Sequence, residues 1–216
     1  GGSMSGALVI TGTDTDVGKT VVAAGLAGCV RGAYYWKPIQ AGTDPQTDRE
    51  RVARLSGLPS ERLLPEAYCL AMAASPHLAA RAEGATIEVD ALDRPSPSGP
   101  LIIEGAGGIL VPISEQATMA DLFAHWAVPV ILVARTSLGT INHSLMSIEA
   151  LRTRGIRIGG IIFVGEANAE NERIIPAMSG VRLFGRLPML DPLTPETLGA
   201  AVRAHIDIPA IEALLA

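Results

Sequence analysis

The stretch GTDTDVGKT, Gly12 to Thr20, decides the fold. It follows the apolar run ALVITG, which is typical of a buried strand, and it opens the helical pattern GKTVVAAGLAGCV. A glycine-bearing loop that joins a strand to a helix and ends in Gly-Lys-Thr is the arrangement that binds nucleotide phosphates, with Lys19 on the β- and γ-phosphates and the Thr20 hydroxyl on Mg²⁺. We expect the backbone N–H groups of Val17 to Val21 to point at phosphate oxygens, aided by the partial positive charge of the helix start.

The loop departs from the usual phosphate-binding pattern in spacing and in charge. The pattern places four residues between its first glycine and the Gly-Lys pair, whereas five separate Gly12 from Gly18, and Thr13 stands at the expected glycine position. Two acids, Asp14 and Asp16, lie where a polyanion would bind. The alternative is a tight strand-to-helix turn with a surface lysine, but the coincidence of strand, motif and helix favours a nucleotide site.

Length and composition bound the remaining possibilities. The chain has 216 residues, 48% of them hydrophobic and 18% charged, which is typical of one globular domain. A net charge of −5 gives no indication of a nucleic-acid or anionic-membrane partner, and no apolar run approaches the roughly 18 residues of a membrane helix. We interpret residues 1–3 as a cloning remnant before a native Met4, so one domain is expected over residues 4–216.

The two cysteines and the start of the chain predict a cytoplasmic protein. Cys29 and Cys69 form no C-x-x-C pair and show no metal-binding spacing, which fits a reducing compartment. The opening GGSMSGA lacks the basic start of a secretory signal.

Strand and helix patterns alternate along the chain. Strands are predicted at residues 7–12, 33–39, 101–108, 128–136 and 158–166, and the second of them is expected to end at Pro38. Helices are predicted at residues 18–30, 48–57, 75–84, 140–155, 168–180 and 208–216. This alternation predicts an α/β fold in which a parallel sheet is covered by helices on both faces.

Three charged residues outside the loop are candidates for the same site. Glu104 follows LII at a strand end beside GAGG, where ligands gather in open α/β sheets, although an ordinary strand-end acid is the alternative. Lys37 ends another strand, just before a proline, and could stabilise charge on a transferred phosphoryl group. Its alternative is a surface lysine that packs its stem on apolar neighbours. For Asp48, a helix N-cap explains the residue as well as a metal ligand does.

Together these motifs resemble the dethiobiotin synthetase family. TGTDTDVGKT, WKPIQAG, ASPHLAA, EGAGGILVPI and LGTINHSL occur in that family's order and spacing, over about residues 8–190. The resemblance implies a P-loop NTPase-like fold with a predominantly parallel sheet of about seven strands, a cytoplasmic homodimer, and synthesis of dethiobiotin from 7,8-diaminopelargonate, CO₂ and ATP with Mg²⁺. One amine would capture CO₂ as a carbamate, the carbamate would take the γ-phosphate, and the second amine would close the ring and expel phosphate.

The resemblance also assigns roles to individual residues. It implies that Lys37 and Lys19 are catalytic and that Thr20, Asp48 and Glu104 bind the metal. The implied nucleotide-binding residues are Asp16, Val17, Gly18, Lys19, Thr20, Val21, Asp48, Glu104, Gly105, Ala106, Gly107, Gly165, Pro188, Met189 and Leu190. The implied substrate-binding residues are Thr15, Asp16, Lys37 and Ala41, with Gly139, Thr140, Ile141 and Asn142 supplied by the neighbouring subunit.

The chain differs from the family's motifs at two positions, and the sequence leaves three alternative functions to be weighed. Ala41 replaces a frequent hydroxyl residue, and Gly165 replaces a frequent asparagine that reads adenine, so base selectivity is expected to be loose. Asp16 is expected to hold the diamine, and Asp14 to cap local backbone. A partition-type ATPase switch would carry a second lysine where Asp14 stands, and a cobyrinate-type amidotransferase needs a longer chain. A non-catalytic nucleotide-binding module is the remaining alternative.

Overall fold

A computed structural model describes residues 6–216 of the chain, so residues 1–3 and Met4 lie outside the described part. The strands in this part are β1 (Ala7–Gly12), β2 (Tyr34–Trp36), β3 (Ile39–Ala41), β4 (Leu63–Leu64), β5 (Tyr68–Leu70), β6 (Leu101–Gly108), β7 (Val130–Arg135), β8 (Ile158–Val164) and β9 (Leu183–Leu187). The α-helices are α1 (Lys19–Cys29), α2 (Asp48–Ser56), α3 (Pro76–Ala82), α4 (Met119–Trp126), α5 (Thr140–Thr153), α6 (Ala169–Ser179), α7 (Pro195–His205) and α8 (Ile208–Leu214).

Seven strands form the central sheet in the order β4-β2-β6-β1-β7-β8-β9. Every neighbouring pair in it is parallel, and β1 lies between β6 and β7. The predicted parallel α/β fold of about seven strands is therefore confirmed. Because the strands are parallel, their carboxyl ends meet at one edge of the sheet, and the loops that follow them lie close together.

Helices cover both faces of the sheet, and strand β1 shows why the fold is stable. All six of its residues are buried. Leu8 and Ile10 belong to the apolar cluster that includes α1 and α7, whereas Ala7 and Val9 belong to the cluster that includes α4 and α5. Alternating side chains thus fill a core on each face, as expected for a central parallel strand.

Gly18 turns the chain from β1 into α1. It occupies the N-cap position with φ of +104°, a left-handed conformation that favours glycine. A Cβ atom here would also come within 3.1 Å of the Val164 side chain. The tight turn sets the first N–H groups of α1 at the carboxyl edge of the sheet.

The strand predicted over residues 33–39, with Pro38 as its end, is present as the shorter strand β2, and a separate strand begins after the proline. Tyr34–Trp36 joins the central sheet as β2, whereas Ile39–Ala41 pairs with Tyr68–Leu70 in a separate two-stranded sheet. Proline has no N–H for a sheet hydrogen bond, and the Pro38 carbonyl accepts from Ala67 and Tyr68. Helices α4 and α7 and strands β4, β5 and β9 were not predicted. Over residues 6–216, no helix is both long enough and apolar enough to cross a membrane.

Candidate active site

A cavity of about 880 Å³ opens at the carboxyl edge of the sheet, around the loop before α1. Most of the sequence-predicted residues line it. They are Thr15, Asp16, Val17, Gly18, Lys19, Thr20, Val21, Lys37, Ala41, Asp48, Ala106, Gly107, Pro188, Met189 and Leu190. The fold therefore brings together segments that are far apart in the sequence, from Thr15 to Leu190.

The other predicted residues lie around or away from this cavity. Glu104 is fully buried beneath it and Gly105 follows Glu104 in β6. Gly165 follows Val164, which lines the cavity wall. Gly139–Asn142, at the start of α5, lie outside the cavity lining.

Lys37 is the centre of a buried charge cluster. Its Nζ atom donates to Asp48 Oδ2 at 2.5 Å, to Glu104 Oε2 at 2.6 Å and to the Gly105 carbonyl at 3.2 Å. The lysine is 5% exposed and Glu104 is 0% exposed. A surface lysine is therefore the wrong interpretation, since the ammonium group bridges Asp48, which lines the cavity, and the buried Glu104.

Burial and charge pairing oppose each other in this cluster. Burial lowers the pKa of Lys37, but the Glu104 and Asp48 carboxylates outweigh it, and the net shift is upward. Burial would raise the pKa of Asp48, but the Lys37 ammonium lowers it overall, with the Thr20 hydroxyl contributing. For the fully buried Glu104, burial prevails over Lys37 and raises the pKa. The cluster thus holds Lys37 as a cation, stabilised by two acids.

Lys19 has a different electrostatic environment. Burial, followed by repulsion from Lys37, lowers its pKa to about 8. Its Nζ atom donates to the carbonyl oxygen of Asp14 at 2.9 Å. The loop lysine is therefore a cation that a bound polyanion would stabilise strongly.

The Asp14 side chain is fixed on both sides, which explains how the loop tolerates it. Oδ1 accepts from the Thr15 N–H at 2.7 Å, so the expected backbone cap is confirmed. Oδ2 accepts from Arg135 at 3.2 Å, and Arg135 lines the cavity. Sequence reasoning missed Arg135, although its place at the carboxyl end of β7 is a recognisable signal. Asp16 adopts a left-handed φ of +58°, which aspartate accepts more readily than most residues.

The start of helix α2 positions Asp48 toward Lys37. Thr47, not Asp48, is the N-cap, and its hydroxyl accepts from the Glu50 N–H at 3.2 Å. The alternative that Asp48 caps the helix is therefore wrong. Gln40, which sequence reasoning also missed, accepts from the Asp48 N–H at 2.9 Å and donates to Gly42 O at 2.8 Å. Its place within WKPIQAG was the available signal.

The far end of the cavity has no room for a side chain at position 165. Gly165 has φ of +135°, and a Cβ atom there would lie 2.7 Å from Thr136 Oγ1. Its N–H donates to Leu187 O at 3.1 Å, and its carbonyl accepts from Arg186 at 2.9 Å. The walls nearby are Val164, Leu187, Pro188, Met189, Leu190 and Leu193. This end of the cavity is therefore an apolar slot.

A lysine-bearing loop between the central strand of a parallel sheet and a helix defines a P-loop nucleotide-binding protein. A family sequence model described as AAA domain matches residues 6–197. ATP-dependent dethiobiotin synthetase BioD of Nitrobacter hamburgensis is 59% identical over 92% of this chain and 93% of its own, and that of Afipia carboxidovorans is 60% identical over 92% and 94%. The chain therefore belongs to the ATP-dependent dethiobiotin synthetase family, and Agrobacterium fabrum has a relative at 52% identity over 95% and 96%.

Solved structures with a similar fold are more distant. The MinD cell division protein of Aquifex aeolicus has a TM-score of 0.51 at 15% identity, over 97% of this chain and 94% of its own. A ParA family ATPase from Chlorobium tepidum has a TM-score of 0.50 at 12% identity, over 93% and 91%. At these identities the likeness shows the P-loop fold alone, so the partition-type ATPase alternative is not favoured over the synthetase family.

Proposed function

We propose that the chain closes 7,8-diaminopelargonate and CO₂ into dethiobiotin at the expense of ATP, the reaction of its family. The observation that carries this proposal is the bridge from Lys37 to both Asp48 and Glu104 beside the phosphate-binding loop. A nucleotide-binding module would need only the loop. A buried cation with two acids at the same cavity supplies the charge control that a phosphoryl transfer requires.

ATP is proposed to lie along the cavity with its phosphates on the loop. Gly18, Lys19 and Thr20 would grip the triphosphate through backbone N–H groups, the ammonium and the hydroxyl. The base would enter the apolar slot beside Val164 and Pro188–Leu190. The lowered pKa of Lys19 supports this placement, because a triphosphate would restore the stability of its charged form.

The residues Thr20, Asp48 and Glu104 fit Mg²⁺. All three offer oxygen atoms, and Mg²⁺ prefers oxygen ligands and keeps several waters. Asp48 and Glu104 already accommodate the positive charge of Lys37. Among residues 6–216 no group of three His, Cys, Asp or Glu side chains could hold a metal ion, so the proposed set includes the Thr20 hydroxyl. Bound Mg²⁺ would neutralise charge on the β- and γ-phosphates.

The protein is proposed to position the reactants and to stabilise developing charge. An amine of the substrate adds to CO₂ and loses a proton, giving a carbamate. A carbamate oxygen attacks the γ-phosphorus and ADP leaves, which forms a carbamic–phosphoric anhydride. The second amine attacks the anhydride carbonyl, closes the ring and expels phosphate. Lys37 and Lys19 stabilise the transferred group, while Thr15 and Asp16 hold the diamine near the loop.

A homodimer would complete the site. The N–H groups at the start of α5, Gly139–Asn142, suit a carboxylate, yet they lie outside their own chain's cavity lining. Leu138 beside them is fully exposed, and Met146 and Leu110 are more than half exposed. We infer that α5 serves the substrate of a second copy, which covers these apolar side chains. The active unit is then a cytoplasmic dimer of one domain each, over residues 4–216.

Incorporation of labelled bicarbonate tests the function. Purified protein is incubated with ¹³C-bicarbonate, 7,8-diaminopelargonate, ATP and Mg²⁺, and the product is analysed by mass spectrometry. We expect dethiobiotin labelled at the ring carbonyl, with one ADP and one phosphate per product. ATP binding without labelled product would contradict the proposal and favour a binding module.

A further inference from the structure

Two buried polar atoms near the charge cluster have no partner. They are the hydroxyl oxygen of Tyr35 and Oε1 of Glu104, and neither forms a hydrogen bond within the described residues. Both side chains are 0% exposed. A buried hydroxyl and a buried carboxylate oxygen that both lack a partner lower the stability of the fold. A hydrogen bond between them would remove this cost.

The sheet places these two side chains on the same face. Tyr35 of β2 is paired with Ile102 of β6, and Glu104 lies two residues beyond Ile102. Since side chains alternate along a strand, Ile102 and Glu104 point to one face, as does the paired Tyr35. Tyr35 and Ile102 belong to the same apolar cluster beneath α1 and α2. The phenol thus extends from the core toward the Glu104 carboxylate.

The phenol also remains a hydrogen-bond donor. Burial, and after it the charge of Glu104, raises the pKa of Tyr35 well above its ordinary value. A neutral phenol beside a carboxylate oxygen can donate to it directly or through one water. Lys37 already occupies the other oxygen, Oε2.

We infer that Tyr35 is a positioning residue that holds Oε1 of Glu104, directly or through one buried water, and thereby aims Oε2 at the bound cation. The inference rests on the proposed metal role of Glu104. Tyr35 does not touch the reacting atoms, since it is enclosed in the core below the cluster. Partners of this kind fix the orientation of a metal ligand, and losing one typically weakens metal binding by about 10- to 100-fold.

Tyr35→Phe removes only the hydroxyl, and Tyr34→Phe is the matched control. Tyr34 is the adjacent tyrosine, and its hydroxyl lies 3.1 Å from Ser98 Oγ in an exposed pair. Mn²⁺ binding to the complex with a non-hydrolysable ATP analogue is measured by electron paramagnetic resonance. We expect about tenfold weaker Mn²⁺ binding for Tyr35→Phe, an unchanged affinity for ADP in EDTA, and no change for Tyr34→Phe.

Two comparisons separate this inference from the metal assignment. If Glu104→Gln weakens Mn²⁺ binding and a folded Tyr35→Phe does not, the inference is wrong and the metal site stands. If Glu104→Gln has no effect, the metal assignment itself fails. Should Tyr35→Phe not fold, a high-resolution structure of the unmodified protein with Mn²⁺ and the analogue decides. We expect the Tyr35 hydroxyl within about 3 Å of Oε1, or both atoms on one water; a hydroxyl bonded elsewhere overturns the inference.

Discussion

The Nζ atom of Lys37 lies 2.6 Å from Oε2 of Glu104, although 67 positions separate the two residues. Lys37 follows strand β2, Glu104 lies in β6, and these two strands are parallel neighbours in the sheet. The pair is therefore held between two hydrogen-bonded strands of the central sheet. Asp48 closes the cluster from α2 at 2.5 Å. Such fixed charges can stabilise a transition state without rearranging during the reaction.

Lys37→Ala is expected to lower turnover about 100-fold or more, because one preorganised charge-stabilising group is removed. ATP binding should be largely retained, since the phosphates are proposed to bind to the loop rather than to Lys37. The fold should survive, although leaving two acids without their cation lowers stability by several kcal/mol in typical buried pairs, roughly 3–5. Turnover and ATP affinity are therefore compared at saturating Mg²⁺. Activity within threefold of the unmodified protein would remove Lys37 from the mechanism.

Glu104→Gln is expected to raise the Mg²⁺ concentration needed for half-maximal activity and to lower the maximal rate. A neutral amide is a poorer ligand for a hard cation than a carboxylate. Glu115→Gln is the matched control, because Glu115 is a surface acid paired with Arg81. The measurement is a magnesium titration of initial rates. Identical titrations for the two variants would show that Glu104 does not bind the metal.

The sequence predicted the fold well, but it predicted the charge cluster only as separate residues. The loop and the strand–helix alternation were enough for a parallel α/β sheet, because both are local patterns. The contacts of Lys37 depend on which strands are neighbours, and no local pattern specifies that order. The ion pair of Arg135 with Asp14 spans 121 positions and was missed for the same reason. Pro38 correctly indicated the end of β2, but no local pattern showed that Ile39–Ala41 would pair with Tyr68–Leu70 in a second sheet.

Nucleotide binding should weaken at alkaline pH, because Lys19 loses its positive charge there. Its pKa in the free protein is lowered to about 8 by burial, whereas bound phosphates would favour the charged form. Affinity for ADP in EDTA should therefore be constant below about pH 7 and fall as pH rises through 8. A loss of roughly tenfold is expected between pH 7 and pH 9, as one proton is taken up on binding.

The pKa of Lys19 can be measured directly, because the chain contains few lysines. Lys19 and Lys37 are its only lysines, so ¹³C-labelled lysine yields two side-chain signals in nuclear magnetic resonance. One signal should titrate near pH 8 and shift its titration upward with ADP, while the other stays charged beyond it, since the carboxylates raise the pKa of Lys37. Two signals that titrate together above pH 10 would contradict the assignment.

Mixing two inactive variants should restore activity if the site is shared between subunits. Lys37→Ala removes the charge cluster's cation, and Asn142→Pro removes an N–H group from the start of α5 without touching the cavity of its own chain. A mixed dimer then contains one site free of both defects. Activity is measured after subunit exchange, which is verified by native mass spectrometry of the mixture. Confirmed exchange with no recovered activity would mean that each site is built within one chain.

The apolar end of the cavity, where the base is proposed to bind, predicts weak discrimination between nucleotides. Gly165 has no side chain, and its two main-chain groups already bond to Leu187 and Arg186. Introducing asparagine there is no fair test, because its Cβ atom would lie 2.7 Å from Thr136 Oγ1 at a φ of +135°. The unmodified protein must therefore supply the answer.

We expect CTP, GTP or both to support turnover within about tenfold of ATP, a gap of ~1.4 kcal/mol. A site that hydrogen-bonds one base edge rejects analogues, because its own polar groups are left unpaired. The side chains of Val164 and Leu193 have no polar groups to leave unpaired. The proposed contact of Lys19 with the phosphates would be the same for every base. The measurement is kcat/KM for the four nucleoside triphosphates at fixed diamine and bicarbonate. The main-chain groups of Pro188–Leu190 could still hydrogen-bond adenine specifically. A preference for ATP of about a thousandfold would show that they do, and the prediction would then be wrong.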